Sequence, residues 1–215
     1  MLVVGHSGAV QPATEPDDST VTDRRRAVAL AGHVADQTTA RSGLADVAPT
    51  VRATALGALE RLDSLADDDL STALADADPS VRCRAAELAA RYPQVSLLEV
   101  LDDPDPSVVE MAAWAMGERG EAVAVDRLAR MASGGAAHAD PLCREAAVAA
   151  LGAIGDPGGL AAVLGALDDK PAVRRRAAVA LAAFEGPEVE AALRRCLEDR
   201  DWQVRQVAED LLDVS

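Results

Sequence analysis

DPSVRCRAAELA (Asp78–Ala89), DPSVVEMAAWAM (Asp105–Met116) and DPLCREAAVAAL (Asp140–Leu151) are three copies of one helix opening: a capping acid, a proline, an apolar anchor two residues on, and an alanine four residues after that anchor. Looser copies extend the series on both sides, as APTVRATALGAL from Ala48, KPAVRRRAAVAL from Lys170 and DWQVRQVAEDLL from Asp201. The six anchors are Val51, Val81, Val108, Cys143, Val173 and Val204. A recurrence at roughly 30 residues is the period of a two-helix repeat, whose single unit cannot bury its own apolar face and must be covered by its neighbours. The predicted fold is therefore all-α, an α-solenoid of about six two-helix repeats.

The register of each copy says which face is buried. Four residues after the anchor stand Ala55, Ala85, Ala112, Ala147, Ala177 and Ala208, and eight after it stand Leu59, Ala89, Met116, Leu151, Leu181 and Leu212. Positions 0, +4 and +8 share one stripe of a 3.6-residue helix, so the pattern is a buried face, and alanine in every copy at +4 implies close helix contact. These copies form the second helix, B, of each repeat. A first helix, A, is most legible in PGGLAAVLGALDD from Pro157 and PEVEAALRRCLEDR from Pro187, and weaker in LADDDLSTALADAD, QVSLLEVLDD and EAVAVDRLARM.

The helix openings have a local cause. Asp78, Asp105, Asp140 and Asp201 can each accept from an orphan amide, and proline suits the first helical position. At the far ends, Gly120, Gly155 and Gly186 stand where a left-handed cap needs no Cβ. Position +1 holds Arg52, Arg82, Val109, Arg144, Arg174 and Arg205. Bordering the buried stripe, these arginines are placed to bond aspartates or carbonyls at the A-to-B turns with their stems packed between repeats, rather than to form an anion-binding strip.

The segments MAAWAMGERG (Met111–Gly120) and AAVAALGAIGDPGGLAAVLGALDD (Ala146–Asp169), with DPSVRCRAAELA, resemble the HEAT-like repeat found in phycobilin lyases and in many bacterial scaffolding proteins. The resemblance runs from about Thr38 to Val214 and is specific for repeat type, whereas this repeat serves many tasks. It implies a right-handed superhelix with B helices lining the concave side and an Asp/Arg ladder between neighbouring repeats.

Composition fits such an array. Of the residues, 49% are hydrophobic but only 2% aromatic, so the core is built from Ala, Leu and Val. Residues 1–19, rich in Gly, Ser, Pro, Thr and acid, read as a flexible tail. Residues 20–215 read as one solenoid, with a degenerate capping helix at about 21–36 whose Arg24, Arg25 and Arg26 suit a solvent-facing end. A longer interval between Val108 and Cys143 places a protruding loop from Ser133 to Asp140. The formal net charge of −15 repels phosphate backbones, which excludes nucleic acid as the partner and with it a DNA-holding solenoid. No stretch approaches 18 uncharged apolar residues and the N-terminus lacks a signal-peptide pattern, so no membrane partner and a cytoplasmic location are expected. Oligomeric state is not legible.

Chemistry is sparsely represented. Cys83, Cys143 and Cys196 have no metal-ligand spacing and read as free thiols, Cys143 at a core anchor. His6, His33 and His138 lie far apart, none beginning the His-Glu pair of di-iron HEAT-repeat hydroxylases, and no acidic stretch has an EF-hand pattern, so neither metal nor cofactor is expected. No phosphate loop or nucleophile elbow occurs, and the expectation is a protein that is not an enzyme.

Positions +2, +3 and +6 of helix B lie opposite the buried stripe and should face the groove. The third copy stands out there with Glu110, Met111 and Trp114, in a chain with only four aromatic residues. An exposed Trp-Met pair is an anchor for a partner, with Ala146 and Ala149 leaving space beside the indole and Arg84 and Glu87 flanking it; the competing reading lays the indole flat over those alanines as a seal. Arg175, Arg176 and Val179 complete the candidate set. Aspartates clustered at the turns, such as Asp67–Asp69, Asp102, Asp103 and Asp105, make one edge negative, either for solubility or to steer a basic partner. The expected function is a scaffold that binds a protein or peptide, of basic character, on the concave B-helix face. The alternative, from the resemblance, is a lyase-like or chaperone subunit handling a chromophore or cofactor.

Overall fold

The computed structural model describes residues 18–213, so the expected tail lies outside the described residues except for Asp18 and Ser19, which open the first helix. The described chain is all-α, without strands, and runs as helix pairs. Helix α1 (Asp18–Ala31) precedes six pairs: α2 (Gln37–Ser42) with α3 (Pro49–Arg61), α4 (Asp67–Ala73) with α5 (Pro79–Ala89), a 3₁₀ turn Leu98–Asp102 with α6 (Pro106–Arg119), α7 (Val125–Ala132) with α8 (Pro141–Ile154), α9 (Leu160–Ala166) with α10 (Pro171–Ala180), and α11 (Pro187–Cys196) with α12 (Trp202–Asp213). The third A element is only a 3₁₀ turn, a reduction of the helix expected from QVSLLEVLDD.

The anticipated buried stripe is the core. Every anchor and every +4 alanine is at most 1% exposed, and so are the +8 residues Leu59, Ala89, Met116, Leu151 and Leu181. Only Leu212 at +8 is half-buried, because no seventh pair among the described residues covers α12. Small residues set the spacing between successive B helices. A Cβ at Gly117 on α6 would lie 3.0 Å from Ala150 Cα on α8, and one at Gly152 on α8 would lie 2.8 Å from Ala180 Cβ on α10. Gly32, just past α1, meets Ala58 Cα of α3 in the same way at 3.0 Å, so α1 occupies a B-helix place.

The openings form as their residue types require. Asp78, Asp105, Asp140 and Asp201 accept from the amides of Ser80, Ser107, Leu142 and Gln203 at 2.9–3.0 Å. Gly120 and Gly155 close α6 and α8 in the left-handed region, at φ 63° and 66°. Gly186 does otherwise: at φ 119° and ψ 171° it precedes Pro187 as the N-cap of α11, since α10 has already ended in the 3₁₀ turn Leu181–Ala183.

The +1 arginines build a ladder along one edge. Arg52 donates through Nε and Nη2 to both Asp76 oxygens at 2.7 and 2.6 Å, and through Nη1 to the Asp46 carbonyl at 2.8 Å. Arg82 joins Asp103, Arg144 joins Asp169 and Arg174 joins Asp199 in the same two-pronged manner, while each of those guanidiniums also reaches a carbonyl at its own turn. Arg24 supplies a first rung, to Asp46 at 2.8 and 3.0 Å, instead of ending in solvent with Arg25 and Arg26. A second clamp lies at the opposite helix ends, where the buried Arg119 donates to the carbonyls of Ala89, Tyr92 and Val95 and so satisfies the C-terminus of α5.

The ladder has one gap. Val109 stands at +1 of α6 and is fully buried. Its partner position is His138, whose Nδ1 accepts from the Asp140 amide at 3.1 Å and whose carbonyl accepts from Arg144 at 2.7 Å. Histidine thus keeps the two backbone functions of a turn aspartate, and the apolar Val109 leaves no guanidinium for it to bind. The loop expected from Ser133 holds a short exposed 3₁₀ turn at Gly134–Ala136 and is pinned by the His138 amide donating to Met131.

Two substitutions test this account. The Arg52 hydrogen bond holds the Asp76 carboxyl below its ordinary value of 3.8, so the stabilisation it provides is complete above that value and is lost as pH falls through the folded-state pKa. Asp76→Asn is expected to lower unfolding stability at pH 7 by about 2–3 kcal/mol in urea titrations, and the deficit should narrow once the pH drops below 3.8. Gly152→Ala gains about 1 kcal/mol of helix propensity, but its new methyl would press on the Ala180 backbone at 3.0 Å. Overpacking of about 1–3 kcal/mol is expected to win, giving a net loss by calorimetry, whereas Gly135→Ala, which meets open space, should be near neutral.

Candidate functional site

With positions 0, +4 and +8 turned inward, consecutive B helices expose their remaining faces side by side. Between α6 and α8 this leaves a groove of about 560 Å³. Its apolar surface comes from Trp114, Met111 and Leu142 over the alanines Ala146, Ala149 and Ala153. Trp114 is 43% exposed and lines the groove, and Met111 is half-buried against the core one turn earlier. Trp114 shares the groove with Ala146 and Ala149 and remains partly exposed there.

The rim is acidic. Glu87, Glu110, Glu118 and Glu145 line the groove, against a single guanidinium, Arg176. Arg84 Nη1 binds Glu87 at 2.6 Å, and Arg176 approaches Glu145 at 3.4 Å. Glu110 and Glu118 have no ion-pair partner among the described residues. Burial pushes the Glu110 carboxyl above its ordinary value, and the neighbouring charges of Glu145 and Asp140 push it further the same way.

Of the residues anticipated from sequence, the groove gathers Trp114, Met111, Glu110, Glu87 and Arg176. It leaves out three. Arg84 lies over Gly57 and lines a separate hollow with Ala53, Thr54 and His33. Arg175 is drawn away by Asp201, at 2.7 Å. Val179 is exposed one helix further on, outside the groove. Sequence reasoning passed over Glu118 and Leu142, although Glu118 follows Trp114 by four residues and therefore shares its face.

The cysteines show no activation. Cys83 is half-buried with its thiol against the Ser107 carbonyl at 3.8 Å; burial raises its pKa, and Glu87, Asp105 and Glu110 add to the rise. Cys143 is fully buried, and burial lifts its thiol to about 11. No group of three or more metal-ligating side chains is assembled among the described residues. No described helix is long and apolar enough to cross a membrane.

A family model described as HEAT repeats matches residues 68–137 and 134–213. Among solved structures, the YibA protein of Escherichia coli is similar at 17% identity and a TM-score of 0.61, over 94% of this chain and 77% of that one. A designed armadillo repeat protein, solved in complex with the peptide (KR)4, is similar at 17% identity and a TM-score of 0.50, over 93% of this chain and 95% of that one. Human deoxyhypusine hydroxylase, in complex with glycerol, aligns at 22% identity and a TM-score of 0.46, over 92% of this chain and 80% of that one. No curated protein matches the chain. At these identities the likenesses to YibA and to the designed armadillo protein show the fold alone.

The electrostatics of the rim can be measured directly. Carboxyl NMR titration is expected to place Glu110 above the ordinary 4.5, and Glu145→Gln should move it down by removing a like charge. An unmoved Glu110 would mean that the two carboxylates do not share a field.

Proposed function

Because the chain belongs to the HEAT-repeat family, by a match covering residues 68–213, we propose that it is a non-enzymatic interaction scaffold whose B-helix groove binds a protein or peptide. The observation that supports this most directly is the partly exposed Trp114, which lines the groove with Met111 and a row of alanines, whereas the more exposed Trp202 lies outside it. A rigid aromatic in a shallow groove loses little entropy on contact and supplies much of the area that anchors an interface. Stacked pairs fix that groove on helices, not loops. The designed armadillo protein that shares the architecture was solved with a peptide, (KR)4, which is compatible with the reading.

The net charge of −15 favours encounter with a partner of basic character and disfavours nucleic acid. A cytoplasmic location accords with this reading. The phycobilin-lyase type of function, handling a chromophore, is less well supported, because the one partly accessible thiol, Cys83, is held in its neutral form by burial and surrounding carboxylates.

Peptides selected from a random display library against the full chain test the proposal. Trp114→Ala is expected to weaken the selected binders by about tenfold to a hundredfold, while Trp202→Ala, at the exposed start of α12, should leave them unchanged. Binders that all keep their affinity for Trp114→Ala would remove this groove as the docking site.

A further inference from the structure

Glu110, Trp114 and Glu118 follow one another at intervals of four residues on α6, so they form a single file of carboxylate, indole and carboxylate along the groove wall. Successive members are about 6 Å apart along the helix axis. Most other acids near the solenoid's edge already have partners: Asp46, Asp76, Asp103, Asp169 and Asp199 bind ladder arginines, and Asp78, Asp105 and Asp140 cap helices. In the groove, Glu87 and Glu145 are likewise met by Arg84 and Arg176. Glu110 and Glu118 are not. Glu110 is moreover half-buried beside Glu145, a position where an unpaired negative charge is unfavourable until a cation arrives.

We propose, resting on the groove being the docking site, that the Glu110–Trp114–Glu118 file is a subsite for one arginine side chain of the partner. The guanidinium plane stacks on the partly exposed indole, and its edge donors reach the two carboxylates on either side. Arginine fits better than lysine because a planar, weakly hydrated cation can satisfy an aromatic face and carboxylate oxygens together. The small side chains of Ala146 and Ala149 across the groove leave the open space into which such a side chain extends. Met111, half-buried beside the indole, gives the aliphatic stem an adaptable surface.

N-acetylarginine amide and N-acetylcitrulline amide, which differ in charge and hardly in shape, are the probes. The readout is the Trp114 indole N–H signal by NMR of the full chain, assigned with Trp202→Phe. Saturable shifts with the arginine compound, at least tenfold weaker with citrulline and abolished in Glu110→Gln/Glu118→Gln, are the expected result. Equal responses to both compounds, no response to either, or an unchanged response in the double variant would overturn the subsite. Glu118 is exposed and Glu110 half-buried, and an unaltered circular dichroism spectrum checks that the double variant is folded. The groove reading fails separately: display-selected peptides that lose affinity on Trp114→Ala but not on the glutamine substitutions would keep the groove and discard the arginine subsite.

Discussion

Close approach between successive B helices is the constraint from which the other features follow. Alanine at +4 in all six copies is fully buried, and glycines at 32, 117 and 152 bring one helix backbone against the next. At such separations a larger side chain cannot be accommodated without moving the helix behind it. The same approach puts the guanidiniums of Arg52, Arg82, Arg144 and Arg174 within reach of the following turn, so the ladder is a consequence of the packing as well as a support for it. A core of alanine, leucine and valine gains less per residue than one of aromatics, and it offsets this by contact continuity along the array.

Where the ladder is interrupted, packing and polarity change together. Val109 and His138 replace an Arg–Asp pair on both sides of one joint, so neither leaves a buried charge without its partner. Removing only one member would leave the other desolvated and unpaired, which is far more costly than removing both. The groove lies against the same helix, α6: its inward and edge positions are apolar at this repeat, while its outward face carries Glu110, Trp114 and Glu118.

Much of this was legible in the residues themselves because the repeat supplies six readings of each position. The buried stripe, the aspartate caps and the role of the +1 arginines all follow from period and residue type. The misreadings fall where one copy departs from the others. Gly186 resembles Gly120 and Gly155 in spacing, but Pro187 after it begins a helix, and a glycine before proline at a helix start serves as the N-cap. Arg24 looked like one of three equivalent arginines, and only the position of Asp46 across the first pair singles it out. In the groove, Arg175 and Arg176 are adjacent in sequence yet diverge, since neighbouring helical residues point about 100° apart; one turns to Asp201 and the other to Glu145. Such choices depend on which partner the next repeat offers, and a single helix does not contain that information.

Charge has a different meaning at the two surfaces where it accumulates. Acids at the A-to-B turns look from sequence like a negative edge, but there most aspartates accept from a guanidinium or a helix amide and their field is largely met within the protein. Carboxylates in the groove are fewer, yet two of them lack any internal cation beside a surface of low polarity. A field is stronger beside low-polarity walls, where water screens it less. Negative charge without an ion-pair partner around Trp114 therefore comes from Glu110 and Glu118, unlike that of the ladder aspartates, and net charge alone does not reveal that distinction.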